Sequence, residues 1–498
     1  MIAEVIVDIA HSEVDRVFDY NFKNSEVRLG DRVEVPFGKM KTEGFVIRVK
    51  SESSLSPEKI KGIIRVLDEF PVLSEETLSI ARYIKDEYHV PFAATLRLFI
   101  PAELRGGRVK DKVVSYAVLK DGISPFEMVA SLRKGSTAQA NLIGFLKDEK
   151  KVLTSVIGEK FGYQTLKKLE ERGFIEVIRE KAGRVPYREM LSFSKTVSLS
   201  DEQISAIKGI ENTDKTVSLL FGVTGSGKTE VYLRIINDVL KKGKTAIMLV
   251  PEIALTPQML KQLRARFGDS VSILHSGLSV GEKYDEWIRL KTGEAKIAIG
   301  ARSAIFAPLS DLGLIIIDEE HDGSYDAESS PRYKTIDIAK KRAELSKCKI
   351  ILGSATPSID TFDRALSGEY YLAEMKNRIN GKHLPEFDIV DMRKEIKRGN
   401  NGIFSADLRE NIAEVLKNGN QAIIFFNRRG YSRQVICREC GYVAKCENCD
   451  ISLNYHKDGN VLKCHYCGAT YKMIKACPEC GSVNLSYDGA GTQKIVDE

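Results

Sequence analysis

The chain has 498 residues, of which 43% are hydrophobic and 29% charged, and its formal net charge is +6. This composition is typical of a globular protein of several domains, and so small a charge permits nucleic-acid binding without arguing for it. The sequence has no run of about 18 apolar residues and no basic segment at its start, which excludes a spanning helix and a signal peptide. We therefore expect a cytoplasmic protein without a membrane partner.

The first part of the chain, residues 1–104, is predicted to be mostly β. Strand-like runs at Ala3–Asp8, Arg32–Val35 and Gly44–Val49 precede a predicted helix near Ser74–Tyr88. Alternating apolar residues in short runs are typical of strands, whereas the last segment has helical spacing.

Residues 105–195 have a different pattern. Helical spacing at Ala138–Asp148 and Tyr163–Arg172 is followed by a strand-like run at Phe174–Arg179 and a turn at Gly183–Pro186. The order of helix, helix and two-stranded wing predicts a winged helix. A structural helical linker remains an alternative.

From residue 196 onward, apolar runs alternate with helical segments. Buried parallel strands are typically unbroken apolar runs, and their ligands bind at the strands' carboxyl ends. We therefore predict a doubly wound parallel α/β sheet, with strands at Thr245–Val250, Ile297–Ile299, Leu314–Ile317 and Lys349–Leu352.

The most informative segment is an octet that follows the apolar run Val217–Phe221 and precedes a predicted helix at Glu230–Lys241. Strand, glycine-rich loop and helix in this order form a P-loop, whose backbone N–H groups bind phosphate. Lys228 is expected to contact the β- and γ-phosphates of ATP, and the Thr229 hydroxyl to hold Mg²⁺. The predicted nucleotide site comprises Gly222, Val223, Thr224, Gly225, Ser226, Gly227, Lys228 and Thr229.

The second motif is acidic: it follows the apolar run Leu314–Ile317 and has the sequence Asp318-Glu319-Glu320-His321. A carboxylate at the end of a buried strand beside the P-loop strand is the Walker B arrangement. Asp318 is expected to hold Mg²⁺ through water, and Glu319 to orient the attacking water.

With a further motif at Gly353–Pro357, the order of these elements resembles superfamily 2 helicases. That resemblance makes Gln203 a residue that reads adenine. We expect Arg302, at a strand end, to contact a nucleic-acid phosphate. Tyr333, in the polar loop Asp322–Lys334, could stack on a base, although a solvated lid is an equal alternative.

Eight of the nine cysteines fall between residues 437 and 480, in four C-x-x-C pairs. In a chain with no export signal such pairs predict metal, and eight thiolates make two tetrahedral zinc sites. The inner pairs are separated by 14 residues, close to a zinc-ribbon spacing, which favours a nested arrangement. It places Cys437, Cys440, Cys477 and Cys480 on one zinc, and Cys446, Cys449, Cys464 and Cys467 on the other.

The residues that follow the four pairs are Gly441, Asp450, Gly468 and Gly481, which tolerate the left-handed backbone of a thiolate knuckle. Cys348, in an apolar run, is expected in the core. His456 and His465 are expected to be surface residues rather than zinc ligands.

The chain resembles the PriA family of replication-restart DNA helicases (primosomal protein N′). The resemblance rests on the motifs, on their order, and on the spacing of the cysteines and of Gly489–Thr492 after them. The resemblance covers essentially the whole chain and supports the nested zinc pairing. It implies a multidomain α/β protein with a RecA-like first lobe and an incomplete second one. The implied bounds are 1–104 for a β-rich 3′-DNA-end-binding domain, 105–195 for a winged helix, 196–378 for helicase lobe 1, 379–498 for a partial lobe 2 and 433–484 for its two-zinc insert.

The resemblance also implies a pocket for the 3′ end of a nascent strand. In it, Asp19 would accept a hydrogen bond from the terminal 3′-hydroxyl, Phe18 and Gly38 would line the base pocket, and Lys61 would contact phosphate. From the residues alone, Phe18 would be a core residue and Lys61 an exposed one.

The implied function is an ATP-dependent 3′-to-5′ DNA helicase that recognises stalled or abandoned forks and starts primosome assembly. Its cofactors are ATP with Mg²⁺ and two zinc ions, and its partners are forked and single-stranded DNA, single-stranded-DNA-binding protein, and primosome and helicase-loader proteins. We expect a monomer.

The sequence departs from the family at Asp326 and Ala327, where Lys-Gln is usual, and at Gln493, and it lacks the family's later lobe 2 motifs. We therefore expect a truncated chain. Two alternatives stay open: a fork-binding fragment that binds nucleotide without turnover, and an RNA-directed superfamily 2 protein.

Overall fold

The computed structural model describes residues 1–9, 11–22, 27–102, 104–105, 113–181, 198–251, 257–379, 381, 386–400, 402–425, 435–456 and 459–486. By its internal contacts the chain divides into two units, Met1–His383 and Leu384–Glu498. Among the described residues, no helix is both long enough and apolar enough to cross a membrane.

The first unit begins with a six-stranded sheet in the order β5-β2-β1-β4-β3-β6, which forms the predicted β-rich region. Two helices follow, and the first begins at Ser74, whose hydroxyl accepts a hydrogen bond from the Thr77 N–H and so caps the helix. The elements are β1 Ile2–Val7, β2 Phe18–Asn21, β3 Arg32–Phe37, β4 Met40–Lys50, β5 Lys61–Gly62, β6 Arg65–Val66, α1 Glu75–Tyr88 and α2 Phe92–Leu96.

Next comes a small body in which helices pack on a three-stranded antiparallel sheet of order β8-β7-β9. It has its own apolar core, which includes Leu142, Ile157 and Leu169. The winged helix stays a prediction, because the turn expected at Gly183–Pro186 lies outside the described residues. The elements are β7 Val113–Leu119, α3 Pro125–Ala130, α4 Thr137–Glu149, β8 Lys151–Leu153, α5 Thr154–Phe161, α6 Tyr163–Glu171 and β9 Ile175–Lys181.

The rest of the first unit is the predicted parallel α/β sheet, with seven strands in the order β12-β13-β11-β14-β15-β10-β16. Its strands are β10 Val217–Gly222, β11 Thr245–Leu249, β12 Val271–Leu274, β13 Ile297–Gly300, β14 Leu312–Asp318, β15 Lys349–Ser354 and β16 Tyr371–Met375. Its helices are α7 Asp201–Asn212, α8 Lys228–Lys241, α9 Pro257–Phe267, α10 Val280–Lys291, α11 Thr335–Ser346 and α12 Ile359–Leu366.

This strand order corrects one expectation from the sequence. The acidic motif was expected on a strand beside the P-loop strand, but β15 lies between β14 and β10 and pairs with both. Strand adjacency depends on the crossover connections, which the spacing of motifs along the chain does not reveal.

The two faces of the sheet are covered differently. Helices α7, α8 and α9 contribute apolar side chains to the core on one face. On the other, α10, α11 and α12 share a core with α1 and α2 of the β-rich region. At this joint the Trp287 indole N–H donates to the Phe99 carbonyl at 3.1 Å, and the rings of Phe99 and Phe306 meet edge to face at 5.0 Å. The β-rich region and the sheet are thus packed through a continuous core.

In its described residues the second unit contains two helices and the cysteine-rich insert. At 421–425 the described residues are irregular and exposed. Gly489–Thr492, which carried part of the family resemblance, lies outside the described residues. The elements are α13 Met392–Lys397, α14 Ala406–Lys417, β17 Ile436–Cys437, β18 Asn454–His456, β19 Val461–Lys463, β20 Thr470–Lys472 and β21 Leu485–Ser486.

Candidate nucleotide, DNA and metal sites

The glycine-rich octet forms the turn from β10 into α8. Gly225 and Gly227 have φ angles of 84° and 83°, in the left-handed region that glycine adopts without strain. The Lys228 ammonium donates to the Gly222 carbonyl at 2.9 Å. The Ser226 hydroxyl is buried and has no hydrogen-bond partner among the described residues. The loop thus combines an amine and an unsatisfied hydroxyl at the N-terminus of a helix, where phosphate oxygens are favoured.

Asp318, at the end of β14, is hydrogen-bonded to the P-loop helix α8, although β14 and the P-loop strand β10 are not neighbours in the sheet. The buried Tyr232 of α8 donates its hydroxyl to Asp318 Oδ1 at 2.9 Å. Gly353 of β15 leaves room for this bond, because a Cβ there would lie 1.6 Å from the Tyr232 oxygen. Burial raises the pKa of Asp318, and the Tyr232 hydrogen bond and the Lys228 charge oppose that rise.

Within the acidic motif, His321 contacts the motif at the end of β15. His321 Nδ1 lies 2.8 Å from the Ser354 hydroxyl, and Nε2 lies 3.4 Å from the Thr356 hydroxyl. Glu319 is half-exposed, with a φ of 45°, and one of its carboxylate oxygens lies 3.8 Å from His321 Nδ1. His321 therefore joins the acidic motif to two hydroxyl residues of the motif at Gly353–Pro357.

Glu320 has a structural position that the sequence did not indicate. Its carboxylate accepts from the Ser358 N–H at 2.6 Å and from the Thr361 hydroxyl at 3.0 Å. It thereby stabilises the first turn of α12, where negative charge is favoured by the helix dipole.

Gln203 contacts the P-loop directly. Its Nε2 donates to the Gly227 carbonyl at 3.2 Å, while its Oε1 accepts from the Ser200 N–H at 2.9 Å. On the same loop, the Ile379 N–H donates to the Gly225 carbonyl at 3.1 Å, so the segment that follows β16 crosses the P-loop. The expected adenine-reading glutamine is therefore held at the nucleotide site.

Tyr333, which the sequence analysis assigned to base stacking, is buried in the core. Its side chain is 5% exposed, and its ring packs edge to face on Phe306 at 5.1 Å. It therefore presents no free face on which a base could stack, which contradicts the stacking expected from the sequence. Arg302 lies with its guanidinium 5.8 Å from the Tyr333 ring and donates to the carbonyls of Ser324 and Asp326.

The four residues implied for the 3′-end pocket lie close together on the β-rich sheet. Phe18 is half-buried, and its ring meets Phe37 edge to face at 5.2 Å. Lys61 is exposed and donates to the carbonyl of Gly38 at 3.3 Å. Gly38 has a φ of 58°, and a Cβ there would meet no atom within 4 Å. Asp19 has a 10% exposed side chain and lies 3.0 Å from the Lys50 ammonium.

The eight clustered cysteines meet in two groups of four, in the nested arrangement predicted from their spacing. Within each group all sulfur atoms lie within 4.8 Å of one another, and those of Cys440 and Cys477 are 3.5 Å apart. Sulfurs bound at about 2.3 Å to one tetrahedral zinc lie about 3.8 Å apart, so the donor sets fit zinc. The four predicted knuckle residues all have left-handed φ angles, namely Gly441, Asp450, Gly468 and Gly481.

Two further features complete the cysteine-rich insert. The Tyr471 hydroxyl lies 3.3 Å from Cys446 Sγ and lowers the pKa of that thiol. His465 is exposed and His456 is half-buried, and their Nε2 atoms form a hydrogen bond of 2.8 Å outside both cysteine groups. Cys348 is buried, as expected.

Three family models match separate regions of the chain. A family of 3′DNA-binding domains matches residues 4–101, the DEAD/DEAH box helicase family matches residues 200–365, and the PriA DNA helicase Cys-rich region matches residues 446–472. Several solved helicase structures are also similar, for instance RecG bound to a three-way DNA junction, at 22% identity over 45% of this chain and 32% of that one, with a TM-score of 0.30. So low a score carries no argument.

Curated relatives match along the whole chain. The replication restart protein PriA of Bacillus subtilis is 39% identical over 100% of this chain and 71% of its own length. That of Chlamydia pneumoniae is 36% identical over 99% of this chain and 67% of its own length. Identity of this extent, together with a helicase sheet, a 3′DNA-binding match and two Cys₄ groups, shows that the chain belongs to the PriA family of replication-restart DNA helicases.

Proposed function

We propose that this chain is an ATP-driven 3′-to-5′ DNA helicase that recognises stalled or abandoned replication forks and starts primosome assembly. The observation that carries the proposal is the link between the P-loop helix and the acidic motif through Tyr232 and Asp318, continued by His321 to the motif after β15. A change at the nucleotide can thereby reach the strand-end loops. The domain bounds given above belong to this proposal.

At the nucleotide site, ATP with Mg²⁺ supplies the phosphoryl group whose hydrolysis drives movement. Lys228 would exchange the Gly222 carbonyl for the β- and γ-phosphates, and the unpaired Ser226 hydroxyl would gain a partner. The Thr229 hydroxyl and Asp318 would hold Mg²⁺, and the half-exposed Glu319 would orient the attacking water. Gln203, already on the loop, would read the adenine.

At the DNA sites, Asp19 would accept the terminal 3′-hydroxyl, Phe18 and Gly38 would line the base pocket, and the exposed Lys61 would contact phosphate. The match to a 3′DNA-binding family supports these roles. Arg302 would contact the backbone of single-stranded DNA after exchanging its carbonyl partners for phosphate. Tyr333 would support Arg302 rather than stack on a base, because its ring is buried.

The two Cys₄ groups would each hold one zinc ion and thereby stabilise an insert with a small apolar core. We further propose that the chain acts as a monomer in the cytoplasm. Its partners would be single-stranded-DNA-binding protein and the primosome and helicase-loader proteins, as the family membership suggests.

ATP turnover by the purified chain, with and without forked DNA that carries a 3′ end at the junction, tests the proposal. We expect DNA-stimulated turnover, and Lys228→Ala should abolish it and weaken ATP binding at least about tenfold while fork affinity changes less than about twofold. Equal loss of both affinities would contradict separate nucleotide and DNA sites. Fork binding without turnover would instead support a fragment that only binds DNA. Equal affinity for RNA forks and DNA forks would support an RNA-directed protein.

A further inference from the structure

Asp19 belongs to a pair of carboxylates that share one cation. It lies on β2 directly opposite Glu4 of β1. The ammonium of Lys50, at the end of β4, is 3.0 Å from Asp19 Oδ2 and 2.8 Å from Glu4 Oε1. The Asp19 side chain is only 10% exposed, so the Lys50 ammonium lies against a largely buried carboxylate.

A second donor reaches the same oxygen from the connector that follows β4. The hydroxyl of Ser53 donates to Asp19 Oδ2. The Leu55 N–H donates in turn to Ser53 Oγ at 3.1 Å, which leaves the serine proton for the carboxylate. Ser53 is therefore oriented by its own segment of backbone rather than free to rotate.

The two carboxylate oxygens of Asp19 differ in their contacts with the protein. An ionised carboxylate can accept about four hydrogen bonds, two at each oxygen. Among the described residues, the hydrogen bond from Ser53 and the closest contact of the Lys50 ammonium both fall on Oδ2. Oδ2 is thus the oxygen that the protein engages, which leaves Oδ1 as the oxygen that can accept from a ligand.

We propose that Lys50 and Ser53 are positioning residues that fix Oδ2 of Asp19, so that Oδ1 accepts the terminal 3′-hydroxyl of DNA. The inference rests on the proposed function, in which Asp19 is that acceptor. Its consequence is specificity for the chemical state of the DNA end. A 3′-hydroxyl donates to Oδ1, a 3′-deoxy end has nothing to donate, and a 3′-phosphate brings negative charge against the carboxylate.

Fluorescence anisotropy with the full chain tests this. The probes are single-stranded oligonucleotides of one sequence that end in a 3′-hydroxyl, a 3′-deoxy or a 3′-phosphate nucleotide. The wild-type chain should bind the hydroxyl end at least about tenfold more tightly than the deoxy end. Ser53→Ala should reduce that ratio about fivefold and leave the Kd for the deoxy end unchanged. Ser53→Thr, which keeps a hydroxyl, should restore the ratio.

The matched control is Ser54→Ala, a change at an exposed serine of the same connector, which should leave every Kd unchanged. If the wild-type chain shows no preference for the hydroxyl end, the proposed role of Asp19 and the inference both fail. If Asp19→Ala abolishes the preference but Ser53→Ala does not alter it, the role of Asp19 stands and the inference alone is overturned. Tighter binding of the hydroxyl end by Ser53→Ala would also overturn it, because Ser53 would then compete with the DNA.

Discussion

The hydrogen bond from Tyr232 to Asp318 is one of the contacts that favour the charged form of this carboxylate. Tyr232→Phe removes that hydroxyl and keeps the ring that packs in the core. Because the bond favours the charged carboxylate, its loss should raise the pKa of Asp318 beyond the rise that burial already causes. We expect the acid limb of the pH profile of kcat for DNA-stimulated ATP hydrolysis to move to higher pH.

Tyr371→Phe is the control for this change, since Tyr371 lies on β16 of the sheet that also contains Asp318, but its hydroxyl faces Gly209. Its pH profile should match that of the unmodified chain. An unmoved acid limb in Tyr232→Phe would show that Asp318 does not depend on the tyrosine for its ionisation.

At the same scale, the sequence predicts residues whose role follows from their neighbours along the chain. Lys228 and the knuckle residue Asp450 lie where a local motif places them. Tyr333 was assigned wrongly because its burial depends on Phe306, which is distant in sequence. Lys50 and Ser53 carry no local signal, since their partner Asp19 lies on another strand.

At the scale of secondary structure elements, α11 is joined to the β-rich region by a buried guanidinium. Arg342 has no exposed surface and donates to Glu76 of α1 at 3.0 Å. It also donates to the carbonyls of Ile305 at 2.6 Å and Ala307 at 2.9 Å. These bonds link two regions that the sequence alone divides at about residue 104.

Arg342→Met should lower the free energy of unfolding by about 3–5 kcal/mol, because it keeps the apolar stem but removes the charged partner of Glu76 and the donor to the Ile305 carbonyl. Trp287, the chain's one tryptophan, is buried at this joint, so its fluorescence during urea unfolding follows the loss directly. Arg82→Met changes an exposed arginine of α1 and should leave the transition in place. A transition equally unmoved in Arg342→Met would mean that the joint is held by apolar packing alone.

At the scale of the whole molecule, the two units derive their stability from different sources. The first unit has extended apolar cores on both faces of its sheet. The insert of the second has a small core to which the zinc-ligating cysteines themselves contribute, among them Cys446 and Cys464. The sequence predicts this difference well, because four C-x-x-C pairs are local signals. It predicts poorly how residues 386–425 fold, where apolar residues such as Phe387 and Ile389 are exposed.

The metal content follows from this difference. Purified chain should contain two zinc ions, and Cys446→Ser should retain one, because its sulfur belongs to only one of the two Cys₄ groups. Zinc binding to such sites is worth about 10–16 kcal/mol, so loss of one should unfold its half of the insert. Elemental analysis gives the metal count, and amide hydrogen exchange over residues 459–472 reports the unfolding.

His456→Ala is the matched control, because His456 lies in the insert but outside both cysteine groups, and both zinc ions should remain. Trp287 lies in the first unit, so its unfolding transition should be the same in Cys446→Ser as in the unmodified chain. Loss of both metals from the single cysteine change would show that the two sites fold as one. A shifted Trp287 transition would show that the first unit also depends on the metal, although its described core contains none of the eight ligating cysteines.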